Sequence, residues 1–245
     1  MEGPPEGGPM DVCKLSFVKV SPLGGEGMAD NFYQNLKSFY SEFLYRKKIA
    51  SKVRSSLNRY LALDFNLIKL FVSREEDLSR LLAVLLDPNA GHGQGALFLS
   101  KLLEHLGLEL PVDLMKTEVK TEAYTSSGRR IDILLEFENG FRLGIENKPW
   151  AQDQENQLVD YASFLMTGGK KKFLLLFLGG NRKEPSSLSL DPERRNELEN
   201  SGLFRAITYR DFLLPWLEES AKEVEAEKLR LLLRDFKTWI EESFT

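Results

Sequence analysis

An acidic residue within an apolar, strand-like segment constrains the fold more than any other feature of this sequence. Asp132 follows Ile131 and precedes the aliphatic run at 133–135. A carboxylate buried in this way costs free energy unless another group pairs with it. The segment therefore predicts a β-strand whose acid meets a partner from elsewhere in the fold.

A second strand-like segment carries an acid and a lysine about fourteen residues further along the chain. In residues 143–148, strand alternation places Glu146 and Lys148 on the same face. The intervening residues 138–140 read Glu-Asn-Gly, which is a tight hairpin signal. Such a hairpin sets the strand of Asp132 beside this one, so we expect the two carboxylates to converge.

Two convergent carboxylates at the end of a sheet favour a hard cation with oxygen ligands. Mg²⁺ takes such ligands together with several waters and a substrate phosphate. The sequence therefore predicts Asp132 and Glu146 as metal ligands, with the backbone carbonyl of Asn147 as a further ligand. Lys148 is then placed to position an attacking water and to offset charge on the phosphate.

The alternative is a cross-strand salt bridge on an exposed sheet face, which would contribute little. Glu-x-Lys by itself is a weak signal, since residues 118–120 repeat it. That second copy has no acid on a preceding apolar strand and no helix directly after it, whereas the copy at 146–148 has both. Aliphatic neighbours on both sides of Asp132 also argue against an exposed salt bridge.

Composition excludes several other kinds of site. The single cysteine, Cys13, excludes an internal disulfide and a thiolate zinc cluster. His92 and His105 lack the four-residue spacing of a zinc protease helix. Residues 179–181 lack the lysine and hydroxyl of a phosphate-binding loop. Carboxylate, lysine and a hard metal remain as the available chemistry.

The distribution of charge modifies what the net charge of −4 implies. A negative chain is a poor match for nucleic acid, because phosphate contacts dominate such binding. Residues 34–60, however, carry seven basic residues and one acid, a local +6 that includes Lys47 and Lys48. We therefore expect a basic surface there, as a nucleic-acid contact, a partner surface or a solvated face.

The order of the patterns predicts an α/β fold with a mixed sheet flanked by helices. Residues 1–27 are rich in Gly and Pro and predict disorder, with Met28 as a possible start of the folded protein. Residues 29–71 predict two helices with the basic cluster at their junction. Residues 179–200 predict a polar loop, and the chain after residue 208 predicts helix with a break at Pro215. The remaining predicted helices are 74–86 with Ser73 as N-cap, 95–106 with Gly107 after it, and 153–166; the predicted strands are 116–124, 130–137, 141–147, 172–178 and 203–208.

No apolar run reaches the length of roughly 18 residues that a membrane-spanning helix needs. The N-terminus lacks the basic head and apolar stretch of a secretion signal. We therefore expect a cytoplasmic protein without a membrane partner.

Several linked motifs resemble the PD-(D/E)XK nuclease superfamily. Arg130-Ile131-Asp132, then Ile145–Lys148, then Gln157-Leu158-Val159-Asp160-Tyr161 are similar to a prokaryotic branch that reads Arg-Ile-Asp, Ile-Glu-Asn-Lys and Gln-Leu-x-x-Tyr. The resemblance spans about residues 62–218, and Leu78 departs from it where the branch often has His. Further matching residues are Glu75, Ser79, Leu85–Pro88, His92-Gly93, Ile207–Phe212 and Trp216-Leu217.

The resemblance implies a restriction-endonuclease-like core over 72–218. The helical patterns on either side predict a basic helical extension over 28–71 and a C-terminal helix at 219–245 packed on the core. The resemblance also implies roles. Asp132 and Glu146 are the metal ligands and Lys148 is the catalytic lysine.

Other residues take supporting roles in this comparison. Glu75 orients a metal-bound water, with Glu76 as the alternative if the helix register differs by one, or it is simply a first-turn acid favoured by the helix dipole. Gln157 and Tyr161 share a helix face. They steady Lys148, contact the nucleic-acid backbone or form a packed polar rim. Arg130 is a further candidate for contact with nucleic acid.

The function implied is a Mg²⁺-dependent nuclease, with Mn²⁺ as a substitute ion, acting on DNA and connected with mobile-element defence. RNA stays open as a substrate, and a homodimer suits double-strand cleavage. One alternative is a catalytically silent nucleic-acid-binding or assembly module that keeps the fold. The other is an unrelated α/β interaction protein whose acids form salt bridges.

Overall fold

The computed structural model describes residues 26–62, 64–150, 152–167, 172–181 and 184–244. The segment 1–25, most of the stretch for which the sequence predicts disorder, lies outside the described residues. Contacts between Cα atoms divide the chain into two units, Met1–Asp64 and Phe65–Thr245.

The first unit contains one long helix, α1, over Glu26–Leu61. No Gly or Pro interrupts the sequence 29–61, so the helical hydrogen bonds run without a break. The expectation that the basic cluster marks a junction between two helices is therefore wrong. Lys47 and Lys48 lie exposed within α1, and Ala62, directly after the helix, has a left-handed φ of 47°.

The second unit is built on a five-stranded sheet with the strands in chain order. The first three strands are antiparallel to one another, and the last two run parallel to the third and to each other. This confirms the predicted mixed sheet. The strands are β1 Glu118–Tyr124, β2 Arg130–Glu136, β3 Arg142–Lys148, β4 Phe173–Gly179 and β5 Phe204–Thr208.

Helices cover both faces of the sheet, as the predicted α/β class requires. The second unit has α2 at Leu67–Phe71, α3 at Glu75–Leu86, α4 at Leu97–His105, α5 at Gln157–Met166, α6 at Pro192–Asn200, α7 at Leu214–Glu223 and α8 at Glu227–Ser243. One core layer joins the sheet to α3, α4, α7 and α8, and the other joins it to α5 and α6. The strand β4, buried along its whole length, lies between these layers.

Three predicted segments differ from the structure. The predicted polar loop 179–200 contains α6, a helix so polar that only Leu198 is buried and no apolar periodicity marks it. Helix α5 begins at Gln157 rather than 153, because Asn156 has a left-handed φ of 54°. The predicted single helix at 219–245 divides between α7 and α8.

Candidate active site

The pairing of β2 with its neighbours is interrupted at Asp132. Strand β2 pairs with β1 at Thr121↔Ile133 and again at Ala123↔Ile131, while the β2–β3 pairing ends at Ile133↔Ile145. Within the described strands, Asp132 is therefore not part of either ladder. Opposite it on β1, Glu122 has a φ of 50°. The sheet opens here, which makes room for charged side chains.

The carboxylate of Asp132 takes the place of a backbone hydrogen bond between β2 and β3. Its Oδ2 accepts a hydrogen bond of 2.7 Å from the backbone N–H of Asn147 on β3. Burial raises the pKa of Asp132, and the nearby charge of Glu75 adds to the rise; the Asn147 N–H and Lys148 act in the opposite direction. The open end of β2 thus holds a partly desolvated carboxyl group beside β3.

Glu146 on β3 is the most buried carboxylate of the cleft, with 1% of its surface exposed. Its Oε1 accepts a hydrogen bond from Gln157 Nε2 at 2.8 Å and pairs with Lys148 Nζ at 2.9 Å. Its Oε2 has no hydrogen-bond partner among the described residues. Burial and the Asp132 charge raise the pKa of Glu146 to about 8, against the effect of Lys148.

Lys148 lies between two carboxylates, with 12% of its side chain exposed. Its Nζ is 2.9 Å from Glu146 and 3.7 Å from Glu75 Oε2. Burial alone would lower the pKa of Lys148, but Glu146, Asp132 and Glu75 together hold it above its usual value. The ammonium group is therefore a fixed positive charge at the end of β3.

Glu75 reaches the cleft from the first residue of α3. Its Oε1 accepts a hydrogen bond of 3.4 Å from the backbone N–H of Trp150, and its Oε2 faces Lys148. Glu76 is exposed and also lines the cleft. The start of α3 is fixed by Asp77, whose carboxylate accepts from the backbone N–H groups of Ser73 and Arg74. Of Glu75 and Glu76, Glu75 is thus the acid that contacts Lys148.

Gln157 and Tyr161 lie on α5 beneath the cleft. Gln157 donates to Glu146 and to the hydroxyl of Tyr161 at 3.0 Å, so it holds the acid and not Lys148. Tyr161 is 1% exposed and donates to the carbonyl of Arg130. This burial leaves almost no ring surface for a nucleic acid. The expectation that Tyr161 contacts the substrate is therefore corrected: it positions Gln157.

The side chain of Asn147 anchors β3 on the opposite face of the sheet. Its Nδ2 donates to Ser79 Oγ at 3.0 Å, and its Oδ1 accepts from the hydroxyl of Tyr209 at 2.7 Å. Asn147 is fully buried. Reasoning from the residues alone missed this network, although the resemblance already included Ser79 and Tyr209. It fixes the backbone between Glu146 and Lys148.

These side chains border one cleft of about 470 Å³. Arg130 stands at the border of the cleft and pairs with Glu122 at 2.9 Å. Lys47 and Lys48 lie on α1, in the first unit of the chain. The lining comprises Glu75, Glu76, Glu122, Gly128, Arg129, Arg130, Asp132, Glu146, Lys148, Gln152, Gln154, Gln157 and Tyr161.

Comparison with protein families identifies the fold. The family model of the PD-(D/E)XK nuclease superfamily matches residues 64–238, more than half of the chain. This chain belongs to the PD-(D/E)XK nuclease superfamily. No curated protein and no solved structure matches it significantly. The mixed sheet with flanking helices is the restriction-endonuclease-like fold of that superfamily, preceded by a helical N-terminal region.

The rival Glu-x-Lys copy of this PD-(D/E)XK protein lies outside the cleft. Lys120 on β1 is exposed and pairs with Glu118 at 3.1 Å and with Glu136 at 2.6 Å. Both Glu-x-Lys copies form ion pairs, but they differ in burial, since Glu118 is 70% exposed and Glu146 only 1%. An exposed pair of this kind contributes little. It supplies a matched control for experiments on the buried pair.

The His92-Gly93 motif of the superfamily branch has a structural role here. His92 Nε2 is 2.9 Å from the carbonyl oxygen of Asp87, and Nδ1 accepts from the N–H of Gln94 at 3.0 Å. These contacts assign the proton to Nε2. Gly93 has a φ of 69°. The motif closes the turn between α3 and α4.

The donor set of the cleft fits a divalent cation, which members of this superfamily typically use. Two neighbouring carboxylates and one buried oxygen without a donor suit a hard cation with oxygen ligands. Within the described residues, no three His, Cys, Asp or Glu side chains form a complete cluster of metal ligands. An ion would complete its shell with backbone oxygen, water and substrate.

None of the described helices combines the length and the apolar character that crossing a membrane requires.

Proposed function

We propose that this member of the superfamily is a metal-dependent nuclease that hydrolyses phosphodiester bonds in DNA. The observation that supports this most strongly is the buried Oε2 of Glu146, which has no donor among the described residues and lies beside Asp132. Leaving such an oxygen unpaired costs free energy. A proton shared with Asp132 would satisfy this oxygen in the metal-free protein, and a bound divalent cation would take the place of that proton.

The groups that would hold the ion are the carboxylates of Asp132 and Glu146 and the backbone carbonyl of Asn147. Mg²⁺, with Mn²⁺ as a substitute, acts as a Lewis acid on the phosphate and lowers the pKa of bound water. Gln157 fixes the Glu146 carboxylate, and the Asn147 N–H fixes that of Asp132. Both acids are thereby oriented before substrate binds.

Lys148 supplies the positive charge of the proposed reaction. Its ammonium is protonated at neutral pH and held by Glu146 and Glu75. From this position it donates hydrogen bonds to the attacking water and to a phosphate oxygen as negative charge develops there. Glu75 limits how far the lysine can move.

A cleavage assay tests the proposal. Plasmid DNA, single-stranded DNA and RNA are incubated with the protein, with and without Mg²⁺ or Mn²⁺, and cleavage is followed on gels. We expect metal-dependent cleavage that Lys148→Ala lowers about 100-fold or more. Lys120→Ala, which alters the exposed copy of the motif, leaves the rate unchanged. Absence of cleavage by the wild type, or equal cleavage by Lys148→Ala, contradicts the proposal.

Titration calorimetry with the metal alone separates metal binding from cleavage. We expect Mn²⁺ to bind the wild type and not Asp132→Ala, with circular dichroism to show that the variant is folded. Metal binding without cleavage favours the alternative of a silent nucleic-acid-binding module. Absence of any metal binding favours the alternative in which the acids serve only as salt bridges.

Further predictions from the sequence belong to this proposal. The family resemblance alone favours DNA over RNA as the substrate, and it alone suggests a role in mobile-element defence. The cleavage assay with three substrates decides between DNA and RNA. A homodimer, which suits cleavage of both strands, is tested by sedimentation of the full chain with and without duplex DNA.

A further inference from the structure

A second cavity of about 400 Å³ adjoins the candidate active site. It shares Lys148 and Gln152 with the cleft of the carboxylates. Its volume lies within the range of about 300–1,000 Å³ that small-molecule sites occupy. A polymer bound in the first cavity can therefore extend into the second. The lining comprises Lys148, Pro149, Trp150, Gln152, Gly180, Asn181, Ser243 and Phe244.

Trp150 presents an aromatic surface to this cavity. It is 53% exposed, whereas the other two tryptophans, Trp216 and Trp239, are at most 5% exposed. The ring of Trp150 packs against Trp239 with the centroids 5.9 Å apart and the planes at 86°. Its backbone N–H is held by Glu75. The indole is thus supported from within the fold and open to solvent outside.

The backbone around the cavity is closely packed. The N–H of Gly180 donates to the carbonyl oxygen of Lys148 at 3.3 Å. A Cβ atom at Gly180 would clash with the carbonyl oxygen of Pro149 and would lie 2.7 Å from Cε1 of Phe244. Glycine at this position therefore lets the segments after β3 and β4 approach. This packing fixes Trp150 relative to Lys148.

The polar groups of the cavity are mostly neutral. Gln152 and Asn181 are exposed amides, and each carries both donors and acceptors. Among the described residues of the lining, Lys148 is the one charged side chain, and in the proposed reaction it faces the phosphate in the neighbouring cleft. A flat ligand with polar edges suits the aromatic ring and the amides of the described walls. A nucleobase has these properties.

We propose that this cavity binds an unpaired nucleobase next to the phosphodiester held at Lys148, with Trp150 stacking on the base. The inference rests on the proposed function, since the base belongs to the strand that is cleaved. Stacking on an aromatic ring accepts every base and requires that the base leave its duplex partner. The substrate class is therefore a single strand, or a duplex with an unpaired base at the cleavage site.

Binding measured without metal tests the inference independently of cleavage. A labelled single-stranded oligonucleotide is titrated at low salt in EDTA, and its anisotropy is recorded. Stacking of one base is worth about 1–3 kcal/mol, so we expect Trp150→Ala to weaken binding about 5- to 150-fold. Trp150→Phe restores most of the affinity. Tyr124→Ala, at a 72% exposed aromatic residue that lines neither cavity, has no effect.

Oligonucleotides with a single abasic position, moved along the strand, show whether Trp150 contacts a base. We expect one position at which base loss weakens binding to the wild type but not to Trp150→Ala. Equal affinities of wild type and Trp150→Ala, without such a position, overturn the inference even if the protein cleaves DNA. If base binding depends on Trp150 but the protein shows no metal-dependent cleavage, the inferred base site is supported and the proposed nuclease activity is contradicted.

Discussion

Glu146 lies among groups that favour its protonated form, so its ionisation is linked to the stability of the metal-free fold. Its pKa is about 8 in the folded chain against 4.5 for an unperturbed glutamate. Between pH 4.5 and about pH 8, Glu146 therefore keeps its proton in the folded state but has released it in the unfolded state. The stability from this group is complete below pH 4.5 and is lost as pH rises towards 8.

We expect Glu146→Gln to remove this pH dependence. In EDTA, the wild type should lose on the order of a few kcal/mol of stability between about pH 5 and 8. The variant should lose much less, because a neutral amide has no proton to release. Urea denaturation at several pH values measures the difference, with Glu118→Gln as the exposed control. A wild-type profile parallel to that of Glu146→Gln contradicts the assignment.

Among individual residues, the sequence identified the groups that carry charge but not all of their contacts. Asp132, Glu146 and Lys148 stood out because charge in an apolar strand needs a partner. The hydrogen bond from Gln157 to Glu146 depends on how α5 crosses the sheet, which no local pattern specifies. Burial of Tyr161 follows from the same packing. The exposed ring of Trp150 had no sequence signal.

At the level of elements, the interruption between β1 and β2 is associated with backbone strain. Glu122 has a φ of 50°, which costs a non-glycine residue about 1–2 kcal/mol. Around this point both strands change the layer against which they pack: Val119 packs on the layer of α3, whereas Ala123 packs on that of α5. Ile133 and Ile131 differ in the same way. The strained backbone at Glu122 thus accompanies a change in the facing of the β1–β2 hairpin at the position of Asp132.

Replacements at Glu122 are therefore expected to reverse the usual order of glycine and alanine. Both Glu122→Gly and Glu122→Ala lose the ion pair with Arg130, so their difference reports the backbone. We expect the glycine variant to be about 1 kcal/mol more stable than the alanine variant. At Thr121, which pairs regularly with Ile133, alanine should be the more stable. The urea midpoints of the four variants decide this, and alanine above glycine at both positions contradicts it.

The elements that the sequence predicted well are those with an apolar period. All five strands were located within two residues; β2 to β5 bury aliphatic side chains, whereas β1 has no fully buried residue. The helix α6 was missed because a polar surface helix lacks that period. The position of Asn156, with its left-handed φ, depends on a backbone contact with the carbonyl of Leu188. Contacts of this kind lie beyond any window of sequence.

For the whole molecule, the basic cluster and the candidate active site lie in different units of the chain. Every residue of the candidate site lies in 65–245, whereas Lys47 and Lys48 lie in the first unit. Asp64, at the end of that unit, binds Arg54 and Asn58 on α1. The second unit contains both core layers of the sheet. A cut at the boundary therefore leaves the core of the sheet intact.

We expect the fragment 65–245 to unfold cooperatively and to keep metal-dependent cleavage. The basic residues of α1, predicted to contact nucleic acid, are absent from it. Its affinity should therefore depend less steeply on salt, with the log–log slope lower by roughly one for each phosphate that α1 would neutralise. Binding titrations of the fragment and of the full chain across a salt series measure this. Identical slopes contradict a nucleic-acid role for Lys47 and Lys48.

The strand order of the sheet has a consequence for synthesis of the chain. Because the strands occur in chain order, each can pair with the one that left the ribosome just before it. The hairpin of β2 and β3 can therefore bring Asp132 and Glu146 together before α5, which carries Gln157, has left the ribosome. Closure comes last, when Asn66 and Leu67 bind Asp235 across 168 or more residues. In this order of pairing, the two acids would come together before the glutamine that orients one of them is in place.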